Sequence, residues 1–90
     1  MRFNNSKPID DSYYQTEEYC LDLDEEKKLI QFQKFLVRYG PGDGYEAVSD
    51  DVMPLSEFEQ NKDHQSIMLD WFGERVSNEV MAKVRLLLAN

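Results

Sequence analysis

Residues 24–39 read Asp24-Glu25-Glu26-Lys27-Lys28-Leu29-Ile30-Gln31-Phe32-Gln33-Lys34-Phe35-Leu36-Val37-Arg38-Tyr39, and the choice of fold turns on them. Asp24 offers the short side-chain acceptor of a helix N-cap. Glu25 and Glu26 follow in what would be the first turn, where the helix dipole favours anions. Wound at about 100° per residue, Leu29, Ile30, Phe32, Phe35, Leu36, Val37 and Tyr39 cover more than half the circumference. Lys27, Gln31, Lys34 and Arg38 fall in the wedge that remains. The spacing predicts a central helix, buried on most sides and solvated through one basic strip. Gly40-Pro41-Gly42-Asp43-Gly44 is the strongest loop signal in the chain and ends that helix.

Towards the N-terminus, the breakers Asn4-Asn5-Ser6 and Pro8 make residues 1–11 an irregular arm. Ser12 and Gln15 form a capping-box pattern that opens a short helix to about Leu21. Tyr13, Tyr14, Tyr19, Cys20 and Leu21 fit neither a clean helical face nor a clean alternating strand.

Towards the C-terminus, Tyr45 to Pro54 is mostly polar, with Val48 and Val52 as anchors. Ser56 with Glu59 predicts a short helix around Glu57–Lys62. Asp63 is the expected cap of a helix carrying Ile67, Met68, Trp71 and Phe72. Ser77 is the expected cap of a last helix, striped by Val76, Val80, Met81, Val84, Leu87 and Leu88. The apolar face swings round between these two segments, so the chain is expected to break near Gly73–Ser77 into two antiparallel helices joined by a tight turn. The fold expected is all-α: one domain over residues 1–90, built as a bundle of three or four helices.

Ten Lys and Arg stand against 18 Asp and Glu, a formal net charge of −8. Direct nucleic-acid binding needs bases to neutralise phosphates, and docking on anionic lipid needs them too, so both are disfavoured. Hydrophobic residues make up 41% of the chain, enough for a packed core. Leu86-Leu87-Leu88-Ala89 is far short of the roughly 20 apolar residues that span a bilayer, and Met1 to Pro8 lacks the apolar core of a signal peptide. The single cysteine, Cys20, forms no internal disulfide and fits a reducing compartment. A cytoplasmic location is the expectation.

No catalytic, cofactor or metal site emerges. The Gly40–Gly44 run lacks the lysine of a phosphate-binding loop, and Asp43 and Glu46 repel phosphate. A calcium loop starting at Asp22 has Lys27 where glycine is needed and Gln33 where the bidentate acid belongs. Zinc needs about four soft or imidazole ligands, but Cys20 and His64 are the only cysteine and histidine. Those two act as nucleophile and base only if the fold brings them together.

The charge falls in blocks. Residues 1–26 hold 8 acids and 2 bases, residues 27–38 hold 4 bases and no acid, and residues 39–79 hold 10 acids and 2 bases. Tyrosines sit inside the first acidic block, a combination suited to docking arginine-rich surfaces. The expected partner-binding residues are Asp10, Asp11, Tyr13, Tyr14, Glu17, Glu18, Tyr19 and Asp22. Asp43, Glu46, Asp50 and Asp51 form a second acidic surface. The function expected is that of a non-enzymatic acidic protein inhibiting or regulating a basic partner, such as a nuclease, toxin or nucleic-acid-binding machine, by imitating nucleic-acid charge. Replacing Glu17, Glu18 and Asp22 by lysine is expected to slow association and spare the fold. The alternative is an assembly subunit docking through an apolar helix surface, as in a homodimer.

Overall fold

In the computed structural model, which describes residues 1–9, 14–40 and 44–89, the first half of the chain is a β-sheet. Strands β1 (Arg2–Pro8), β2 (Gln15–Asp24), β3 (Leu29–Arg38) and β4 (Gly44–Pro54) precede helices α1 (Leu55–Phe58), α2 (Lys62–Phe72) and α3 (Glu74–Leu88). The strands lie in chain order and every neighbouring pair is antiparallel. The architecture is therefore α+β, and the expected all-α bundle is overturned. The irregular arm at the N-terminus is β1, and the helix expected from Ser12 to Leu21 is β2 from Gln15 on. The stretch 24–39 is a turn followed by β3.

The turn shows why the helical interpretation failed. Asp24 Oδ1 accepts from the Lys27 backbone N–H at 3.0 Å, the bond that a helix N-cap would make. Instead of winding on, the chain reverses through Lys28, whose φ of 54° is left-handed, and returns as β3. In the register Tyr19, Leu21 and Leu23 oppose Lys34, Phe32 and Ile30, so these six side chains share one face. The opposite face carries Phe35 and Val37 at the far end of β3. A strand apolar on both faces mimics a helix with a wide apolar arc. The basic strip dissolves for the same reason, with Gln31 on one face and Lys34 and Arg38 on the other.

All three helices pack on the Tyr19–Leu21–Leu23 face. Leu21, Leu23, Ile30, Phe32 and Met53 from the sheet join Leu55, Phe58, Met68, Val80 and Val84 in one buried cluster. Phe32 is its centre, with Phe58 at 5.6 Å and Trp71 edge-on at 6.1 Å between ring centroids. The helix residues follow the expected stripes, but the caps do not. Pro54 precedes α1, and Asn61, rather than Asp63, caps α2 by accepting from the His64 N–H at 3.0 Å. Gly73 separates α2 from α3, inside the expected interval, at a φ of 88° that glycine adopts without strain. Ser77 lies within α3 as a buried residue whose Oγ has no hydrogen-bond partner among the described residues.

The last turns of α2 are tied across β1. Asn5 donates to the Trp71 carbonyl and Lys7 to the Asp70 carbonyl, each at 2.7 Å, while Phe3 packs on Phe72. At the opposite end β2, β3 and β4 continue beyond the core, and the molecule is elongated, 51 Å in its longest dimension. Among the described residues no helix is long and apolar enough to cross a membrane.

Candidate functional site

Because strand side chains alternate, the acidic positions singled out from sequence are divided between the two faces of the sheet. Glu17, Glu46 and Asp51 lie on the helix-bearing face, and each meets a base there. Glu17 is 3.4 Å from Lys34, Glu46 is 3.9 Å from Arg38, and Asp51 is 3.4 Å from His64 Nε2. Tyr19 is 5% exposed, stacks on Trp71 at 4.8 Å and donates its hydroxyl to Glu17 at 2.5 Å. Burial, then the neighbouring Glu17, pushes the Tyr19 phenol far up. The Tyr19 hydroxyl, and then Lys34, hold the Glu17 carboxyl below the usual carboxylate range against the opposing effect of burial. Tyr19 and Glu17 are thus structural neighbours packed under the helices.

Glu18, Asp22 and Asp50 lie on the other face, which no described helix covers. Asp50 is held by Gln31 at 2.9 Å and Gln33 at 3.3 Å. Asp22 stands directly across from Arg2 in the register. The neighbouring Cys20 sulfur, and more weakly Asp22, push the Arg2 guanidinium above its ordinary range. Glu18 has no hydrogen-bond or ion-pair partner among the described residues. It faces Ser6 on β1 and Phe35 on β3.

The β3–β4 pairing contains a bulge at Lys34/Phe35, where Val48 is the extra residue of β4. Beyond it Phe35 and Tyr45 stack at 4.8 Å with an interplanar angle of 22°. Tyr45 is nevertheless 63% exposed. Between this pair and β1 the open face dips into a concavity of about 420 Å³, walled by Asn4, Ser6, Glu18 and Cys20 and bounded by Arg2. Phe35 and Tyr45 were not among the expected site residues. The signal that would have found them is the glycine-rich turn at 40–44 taken as a hairpin loop, which sets Tyr45 beside β3.

Tyr14 is exposed at the start of β2, with its ring against Gly40. Asp10, Asp11, Tyr13 and Asp43 lie outside the described residues. Cys20 and His64 are on opposite sides of the sheet, since Cys20 borders the open concavity and His64 sits edge-on to Phe32 at 5.3 Å. They are not brought together as nucleophile and base. Among the described residues no three His, Cys, Asp or Glu side chains are grouped to hold a metal ion. Compared with known proteins, the chain matches no family model, no curated protein and no solved structure.

Proposed function

We propose that this is a non-enzymatic binding protein that occupies a basic surface of a partner protein and so inhibits or regulates it, with the open face of the sheet as its contact surface. The observation that carries this is the composition of that face. Glu18, Asp22 and Asp50 share this face with the Phe35–Tyr45 stack, whose Tyr45 is exposed, within a chain of net charge −8. Carboxylates steer a basic partner into encounter, and exposed aromatic area supplies the short-range contact that holds it. Exposed Val52 on β4, paired with Gln31, extends the apolar part of the face. Nucleases, toxins and nucleic-acid-binding machines present basic surfaces of the kind this face suits, and a carboxylate array there takes the place of phosphates.

Capture from a native lysate at low and high salt tests the proposal, with the Asp22→Lys/Asp50→Lys double variant as control. The expected result is a basic protein, identified by mass, retained at low salt by the native chain and lost with the variant. Retention that is unaffected by both salt and the double reversal would rule the proposal out. Self-assembly through the helices has less support: among the described residues, Leu69 and Leu86 are the exposed large apolar side chains on α2 and α3. Sedimentation as a tight dimer would favour it.

A further inference from the structure

We propose that the concavity between β1 and the Phe35–Tyr45 stack is a receptor for one arginine side chain of the partner, an inference that rests on the basic-partner reading above. Tyr45 presents its ring to solvent while Phe35 fixes it from behind, which is how a preset platform for a planar cation is made. Glu18 stands on the wall as a carboxylate without a partner among the described residues, and it is half-buried, where its attraction for a cation is less screened than on an open surface.

Asn4 and Ser6 line the β1 side and supply side-chain oxygens for N–H donors that a single carboxylate leaves unmatched. The volume of about 420 Å³ is within the range of sites that enclose small ligands. Arg2 bounds the same concavity and Asp22 stands across from it in the register, so with Glu18 these three side chains sum to a formal charge of −1. Guanidinium suits these features better than ammonium. It is flat, so it stacks; it is weakly hydrated, so it enters a half-buried cleft; and it donates in several directions at once.

The test uses the full chain and needs no partner. A blocked Gly-Arg-Gly peptide is titrated into isotopically labelled protein and followed by NMR, beside its lysine and citrulline counterparts. The expected result is weak, saturable binding of the arginine peptide, with shifts centred on Glu18, Phe35 and Tyr45 and clearly weaker responses to the other two. Tyr45→Ala is expected to weaken binding about two- to fivefold, and Glu18→Gln to weaken it with the folded spectrum retained. Equal responses to all three peptides, shifts centred elsewhere, or no shift at tens of millimolar peptide would each overturn the assignment. If salt-dependent capture of a basic protein persists in that case, the functional proposal stands and only the arginine receptor falls. If capture also fails, both fall.

Discussion

Tyr19 and Glu17, two residues apart on the same face of β2, share a hydrogen bond of 2.5 Å beneath the ring of Trp71. The contact links the aromatic core to the Glu17–Lys34 pair at its margin. Tyr19→Phe keeps the stack and deletes the bond. A hydrogen bond to a charged group contributes about 1.5–3 kcal/mol, and part-exposure of Glu17 places this one at the low end. Urea unfolding followed by Trp71 fluorescence measures the loss.

The Glu17–Tyr19 pair gives stability a dependence on pH at both ends, the acid limb first through this bond and the alkaline limb first through burial of the phenol. The carboxyl of Glu17 titrates lower in the folded chain than in the unfolded one, so its contribution is full above the ordinary range near about 4.3 and is lost as pH falls through its folded titration. The phenol of Tyr19 is raised, so its contribution is full below about pH 10 and declines as pH climbs beyond that. Tyr19→Phe is expected to flatten both limbs of the stability profile. An unchanged acid limb would show that the Tyr19 bond does not set the Glu17 shift.

Charge reversal separates the two faces. Lysine at Glu17 would meet Lys34 and Lys7 around the Tyr19 ring, so Glu17→Lys is expected to lower the melting temperature. Glu18→Lys, on the open face, is expected to leave the free energy of unfolding within about 0.5 kcal/mol of the native chain's. The triple reversal expected from sequence to spare the fold is therefore replaced by one confined to the open face.

Ser77→Ala is expected to stabilise the protein by about 1 kcal/mol. It removes a buried hydroxyl with no hydrogen-bond partner among the described residues, and alanine is the better helix former. A lowered denaturation midpoint would show that the hydroxyl is satisfied in solution.

Lys28→Gly tests the turn before β3. A non-glycine residue at a φ of 54° carries strain of roughly 1–2 kcal/mol, and glycine removes it at a cost of about 0.4–1 kcal/mol in unfolded-chain entropy. A net gain of between zero and about 1.6 kcal/mol is expected, read as a raised denaturation midpoint.

Phe58→Ala tests the smallest helix. Leu55 and Phe58, both wholly buried, anchor α1 against Phe32. A loss of about 3–5 kcal/mol is expected, a large share of the stability of a domain this size. Circular dichroism at rising temperature reads it directly.

The helical half of the chain was legible because Val76, Val80, Val84 and Leu87 repeat at helical spacing and bury one stripe. The sheet was hidden by particular residues. Tyr19, Leu21 and Leu23 do alternate with Asp22 and Asp24, but Cys20 interrupts the polar set because it is buried on the opposite face. Gln31 and Gln33 around Phe32 give two steps of alternation, after which Phe35-Leu36-Val37 erases it, both faces being partly covered there. In β4 the bulge at Val48 shifts the phase midway. The acidic character of the candidate site was legible from composition. Its division between faces was not, since helical winding sets Glu17 and Glu18 only about 100° apart, whereas the strand sets them on opposite faces.

The chain-order meander has a kinetic consequence. Each strand pairs with its sequence neighbour, so the sheet assembles by short loop closures, which cost little entropy and proceed quickly. Docking of the helices on the sheet closes much longer loops, and the seam where Asn5 and Lys7 reach Trp71 and Asp70 spans more than 60 residues. That closure is the slow, late event expected in refolding. Until it occurs, β1 is fastened along one side only, and a nascent chain has to grow past Trp71 before that strand is locked.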